Sequence, residues 1–467
     1  MKTIGALAFV VLLFYGCTSE LKESEILKRI EEHYTNDKNS KGITISYERI
    51  NFNPYQSFDF RSPDSLTSKN TITISDNSFF AERWVFFPGG FNFGLKEFQQ
   101  NSLGYLYDLN GILMGKRAIP QDKERINEVR DELEKIIDYK FSQSLFSEQN
   151  KILLDSLDLK NNSVSLIKIN DAKDSLWITF QINPIALKSV ISHSKKEKWV
   201  FSSFTENDGI VFLEDIDYYK NGTLKHIYSI KNISEIESMP EKELSIPDGI
   251  TIYETITKEP EIQEIAPDLY LITPIAEDRN VLFTINRDNI TVFGAPLSDR
   301  FSNQVIELIK NNFPDKNIES VYVTHAHSDH IGGLGAYVKI GASILTDSFS
   351  IETIKSFPRF KGQIDSFVFE PIKNREKRGS NTQFFVIDNS HCKSQGFVYF
   401  KNGQTIYQGD FLEIPEDNTL PTYLPLTTLE FYDFVNKEKL SIKRIIAHHR
   451  NNHITMETFK NYYSKFN

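Results

Sequence analysis

The sequence predicts an α+β, mostly antiparallel domain followed by an α/β domain, and three observations carry that reading. Stretches of alternating β-branched and aromatic residues dominate the first half, with one charged helical segment among them. The composition turns to prolines, charges and glycine near Ser238–Gly249. Beyond Leu269, strand, helix and strand lead straight into a cluster of histidines.

The chain has 467 residues, 40% of them hydrophobic and 25% charged, which is globular composition at a length that calls for more than one domain. Its formal net charge of −10 argues against an overall attraction to nucleic acid, which rewards basic faces that displace counterions from phosphate. The basic run Lys373-Asn-Arg-Glu-Lys-Arg378 reads as a solvated loop.

At the start, Lys2 precedes an apolar run from Ile4 to Tyr15 and then Gly16-Cys17. The run is shorter than the ~20 residues that cross a bilayer as a helix, so residues 1–17 read as an export signal. A small residue before Cys17 resembles a bacterial lipoprotein signal, with Phe14 where an aliphatic residue is usual. That resemblance implies an acylated Cys17 and an exported protein held at a membrane, in the periplasm or at the cell surface. The other cysteine, Cys392, then has no partner, so core burial and not a disulfide framework must hold the fold. Beside a histidine, Cys392 reads as a small buried thiol.

Residues 18–246 form the expected β-rich accessory domain. Ile26, Leu27 and Ile30 have the spacing of a short amphipathic helix. Ile43–Ile50, Thr71–Ile74, Arg83–Phe87, Val164–Ile169, Leu176–Phe180 and Lys198–Phe201 read as strands, and Asp122–Ile137 as a helix. A leading helix followed by antiparallel strands in an exported chain resembles the half-open barrel of lipoprotein-carrier proteins, although no motif accompanies the likeness. His33, His193 and His226 are scattered singly, and each reads as an ordinary surface or core histidine.

Residues 260–467 form the second domain. Leu269–Ile272, Val281–Ile285 and Ile290–Phe293 are three closely spaced strands; Phe301–Asn312 places Val305, Ile306, Leu308 and Ile309 on one helical face; and Ile318–Val323 returns as a buried strand. Directly after it, His325, His327, Asp329 and His330 fall within six residues, ahead of Gly332-Gly333. Groups so crowded gain from proximity only when a cation joins them, and a loop at a strand's carboxyl end is where α/β folds place chemistry.

This pattern resembles the His-x-His-x-Asp-His signature of the metallo-β-lactamase superfamily, over roughly Pro260 to the C-terminus. The resemblance implies an αββα sandwich with two metals at one edge: His325 and His327 on the first, Asp329 and His330 on the second. Three further ligands are required, each after its own strand, and each has a candidate: His391 after Phe384–Ile387, Asp410 as the carboxylate bridging both metals after Thr405–Gln408, and His449 after Lys443–Ala447. Adjacent His448 competes for the last place, but the family's Pro-Gly-His register favours His449. Two departures are visible. Gly294 stands where the family often has an Asp that props the ligand loop, and Cys392-Lys393 follow His391 in place of a small residue and Thr.

What the resemblance implies chemically is hydrolysis at two zinc ions per chain, with iron or manganese as alternatives, and with Asp329 both ligating and orienting the attacking hydroxide. Asp410 argues for a small ester, thioester or lactone substrate and against a β-lactam, because the family's β-lactamases usually have Cys or Ser there. The remaining alternatives are a β-lactamase, a mononuclear iron oxygenase of the same fold and a metal-free surface binding protein.

Overall fold

A computed structural model describes residues 24–34, 41–146, 150–169, 175–207, 210–253 and 258–467. The expected export signal and the Cys17 acylation site lie outside the described residues. Among the described residues no helix is long and apolar enough to cross a membrane.

The first region is one 14-stranded sheet. Its first strand, Gly42–Phe52, sits inside the sheet between Ser65–Ser75 and Thr223–Glu235. Neighbours pair antiparallel throughout, except for the short edge strand Thr251–Ile252, which runs parallel to Arg117–Pro120. Alternation explains the layering: Ile43, Ile45 and Tyr47 of the first strand are buried, while the residues between them are half-buried. The buried side packs against helix 24–34 through Ile30 and Tyr34 and against Arg125–Ile136 through Ile126, Val129 and Leu133. A second helix, Asp138–Leu145, joins the same core.

The segment that reads as a linker is not free. Leu244, Ile246 and Ile250 pack on Phe98, Tyr107 and Ala118, Lys96 pairs with Glu243, and Thr251–Ile252 extends the first sheet. Its apolar residues are enough to tie a Pro- and charge-rich stretch down.

The second region is an αββα sandwich, as the sequence resemblance implies. A seven-stranded sheet runs from Glu261–Ala266 to Phe369–Pro371, and a five-stranded sheet from Lys377–Arg378 to Arg444–Ala447. Between them Leu271, Leu282, Phe293 and Tyr322 meet Phe384, Val398, Phe400 and Tyr407. Helix Asp299–Asn312 covers the first sheet with Val305, Ile306 and Ile309, whereas Leu308 of the expected apolar face is only partly buried. Helices Leu426–Lys437 and Met456–Ser464 cover the second sheet through Phe431, Val435, Phe459 and Tyr462.

Candidate metal centre

Asn317–Tyr322 pairs parallel to Asn289–Phe293 on one side and to Ser343–Thr346 on the other. It delivers His325 and His327 beyond its carboxyl end, and the one-turn helix Ser328–Ile331 then turns Asp329 and His330 back toward the same point. From the other sheet, Thr405–Gln408 and Arg444–Ala447 also pair parallel, so Asp410 and His449 emerge on the same edge. His391 follows Thr382–Ile387 and meets them.

Two groups result. Ligand atoms of His325, His327, His391 and Asp410 lie within 4.8 Å of one another, as do those of Asp329, His330 and His449. Asp410 stands between the groups: Oδ1 is 3.1 Å from both His330 Nε2 and His449 Nε2, while Oδ2 is 3.2 Å from His391 Nε2 and 3.6 Å from His325 Nε2. Asp329 Oδ2 lies 3.5 Å from His330 Nε2 and 3.4 Å from His449 Nε2. A third possible group adds Glu413 to Asp410 and His449, but Glu413 already accepts from Arg450 Nη2 at 2.6 Å.

His448 points elsewhere. Its Nδ1 pairs with the Tyr407 hydroxyl at 2.7 Å, in the core between the two sheets, and it belongs to neither histidine–carboxylate group. The same hydroxyl accounts for Gly294. With φ at +116°, a Cβ there would stand 2.6 Å from Tyr407 Oη, so a tyrosine from the other sheet fills the space that a side chain at Gly294 would need.

The charge balance follows from burial and crowding. Burial pushes the His325 pKa down to about 3, helped by the neighbouring His330, and burial with His325 beside it holds His327 well below the usual range. Burial opposes the charged His330 too, yet Asp410 and Asp329 outweigh it and raise its pKa. For both carboxylates burial acts upward and loses to His330 and His449, so Asp329 and Asp410 stay well below the ordinary carboxylate value. The site therefore offers ionised carboxylates and at least two neutral imidazoles, the forms that bind a divalent cation. Burial pushes the Cys392 thiol far up, and its Sγ donates to Ser394 O at 2.8 Å.

A cation fits the donor set. His325 Nε2, His327 Nδ1, His391 Nε2 and Asp410 Oδ1 are buried without a hydrogen-bond partner, and their four residues make up the first group. Orphaned donors and acceptors so close together cost several kcal/mol of desolvation unless something fills them.

Residues 293–343, which hold the whole His-x-His-x-Asp-His run, match the metallo-beta-lactamase superfamily. The match lies wholly within the second region. Solved structures similar to the chain include a metallo-beta-lactamase from Hirschia baltica, at 15% identity and a TM-score of 0.34 over 44% of this chain and 97% of that one. Another is the metallo-beta-lactamase FIM-1 from Pseudomonas aeruginosa in its mono-zinc form, at 16% and 0.35 over 44% and 94%. No curated protein matches the chain.

The second region also uses residues that sequence reasoning missed. Arg279 Nη2 lies 3.5 Å from Asp329 Oδ2, and Asn280 Nδ2 donates to Ala447 O at 2.9 Å and Arg450 O at 3.1 Å, fixing the loop that carries His449. Three more partners come from the first region. Gln56 Nε2 donates to Asp329 Oδ1 at 2.8 Å, His327 Nε2 lies 3.1 Å from Ser57 O, and His391 Nδ1 lies 3.1 Å from Pro88 O. Nothing local in Pro54–Ser57 or Pro88–Gly90 signals a metal site, because the pairing exists only once the two regions dock.

Proposed function

We propose that the chain is a zinc-dependent metallohydrolase that binds two ions and cleaves a small ester, thioester or lactone. One observation carries this reading: the Asp410 carboxylate presents one oxygen to each of two ligand groups. On this reading His325, His327 and His391 would hold one ion and Asp329, His330 and His449 the other, with Asp410 placed to serve both. Nitrogen-rich donors with carboxylates suit zinc at both positions. Two ions so held supply Lewis acidity and a water whose pKa is lowered towards neutrality.

The chain's own residues do the rest. Asp329 stays ionised and keeps Oδ2 near His330 and His449 while Gln56 engages Oδ1, so it would orient a water held at the site by accepting a hydrogen bond from it. Arg279 lies 3.5 Å from the same Oδ2 and helps keep that carboxylate anionic. Buried Cys392 donates away from the site to Ser394 O and takes no part as nucleophile. Export and anchoring through Cys17 complete the proposal, supported by the sequence of residues 1–17.

The test is a panel of thioester, lactone, phosphodiester and β-lactam substrates offered to the full chain and to His327→Ala. The expected outcome is one class of bond cleaved by the wild type. In His327→Ala that turnover should fall by more than the ~10- to 100-fold typical of residues that only orient a ligand. Turnover of a β-lactam alone would overturn the substrate class, and equal activity in His327→Ala would overturn the site.

A further inference from the structure

The first region reaches into the metal centre along two segments. The turn Pro54–Gln56 is pinned at its start, where Asn53 Oδ1 accepts from Tyr55 N at 3.2 Å and Ser57 Oγ donates to Asn53 O at 2.8 Å. From it Tyr55 reaches the second region, donating to Ser356 O at 2.7 Å with its ring edge-on to Phe357. Lys393 N donates to Phe58 O at 3.0 Å, and Lys393 Nζ pairs with Asp59 at 2.9 Å. The space left between this segment and His327 is a cavity of about 10 Å³, about the room of one water and no more.

The chemistry of these contacts is directional. A carbonyl only accepts, so the Ser57 carbonyl fixes the proton of His327 on Nε2 and leaves the lone pair on Nδ1, the atom that is buried without a partner. The Pro88 carbonyl fixes the proton of His391 on Nδ1 and leaves Nε2 free, again the orphaned atom. Gly89, at φ +84°, allows that approach, since a Cβ there would stand 2.9 Å from His391 Cβ. Gln56 holds Asp329 from the side away from His330 and His449. Three of the seven proposed ligands thus take tautomer or orientation from residues more than 200 positions earlier in the chain.

We propose that the first region is a working part of the metal centre: Gln56 and the carbonyls of Ser57 and Pro88 are positioning groups, and docking of the two regions and metal binding are one coupled equilibrium. This rests on the two-zinc reading above. Partners that orient a ligand typically carry 10- to 100-fold in metal affinity, and by linkage whatever docking adds to metal affinity the metal adds to docking. It also gives the accessory sheet a task that its own scattered histidines do not suggest.

The test uses the full chain with Zn²⁺ alone as probe. Zinc affinity is read by competition with a chromophoric chelator, and hydrogen exchange of residues 53–64 is read with zinc and with the chelator in excess. Gln56→Leu removes a positioning group, and Tyr55→Ala touches no proposed ligand. Tyr55→Phe, which keeps the ring on Phe357, replaces it should the alanine variant not fold. Trp177→Ala, exposed on the far part of the first sheet, is the control. The expected result is two zinc ions per chain in every variant, an affinity lowered about 10-fold or more in Gln56→Leu and Tyr55→Ala, no change in Trp177→Ala, and slower exchange of 53–64 with zinc. Two zinc ions bound within twofold of wild-type affinity by both variants, or exchange indifferent to zinc, would overturn the coupling and leave the zinc site standing. A wild type that binds no zinc would overturn both.

Discussion

In the first region, strands joined mostly by hairpins pair antiparallel, so successive strand ends alternate between the two edges of a 14-stranded sheet. In the second, parallel neighbours such as Asn289–Phe293 with Asn317–Tyr322, and Thr405–Gln408 with Arg444–Ala447, bring several carboxyl ends to one edge. The same contrast separates their histidines. His33, His193 and His226 of the first region each lie against an aromatic ring, Tyr34, Trp177 and Tyr218 respectively. In the second region His325, His327, His330, His391 and His449 converge. Antiparallel order spreads polar groups over a surface, and parallel order gathers them.

Three changes break or sharpen this contrast. The largest effect is expected from Phe180→Ala, which empties the centre of the first region's core and should cost about 3–5 kcal/mol of stability by urea denaturation. None of its atoms belongs to the second region's cores, so a loss confined to the transition of the second region would contradict the division.

Next is Asp138, buried at the start of a helix in the first region, where burial raises its pKa from 3.8 to about 6. Between those values the folded chain holds a proton that the unfolded chain has released, so this group's contribution falls as pH rises through that window. Asp138→Asn should therefore add up to ~3 kcal/mol at pH 8 and nothing below pH 4, read as the difference between wild-type and variant denaturation at each pH. An equal gain at both pH values would show that packing, and not the charge, is responsible.

The smallest is Tyr407→Phe. It leaves buried His448 Nδ1 without its partner beside Gly294 and should cost about 1–3 kcal/mol. A neutral outcome would mean that this tyrosine does not replace the family's Asp as a prop for the ligand loop.

The sequence shows these two regions unequally, and for physical reasons. The metal centre is legible because most of its ligands follow strands whose apolar runs are local, and because His325, His327, Asp329 and His330 are crowded into one short stretch. The αββα sandwich came with that resemblance and not from periodicity. In the first region strands such as Ile43–Ile50 show through alternation, but Phe91–Gln100 does not. Gly94 interrupts its pattern, and only the structure shows that the Trp84 ring occupies the place of the missing side chain. Asp138–Leu145 was hidden likewise, since its Asp, Ser and aromatic residues are poor helix formers that tertiary packing overrides. Gln56, Ser57 and Pro88 carry no local mark because their partners lie about 270 to 300 residues away. The choice of His449 over His448 rested on the resemblance; in the structure His449 stands in the histidine–carboxylate groups and His448 Nδ1 pairs with the Tyr407 hydroxyl.

The central claim is that Asp410 joins two metal sites, and elemental analysis of the purified full chain, wild type beside Asp410→Ala, tests it most directly. The account predicts about two zinc ions per wild-type chain and a clear loss of metal in the variant. No metal in the wild type, or a single iron ion that is indifferent to Asp410, would contradict it.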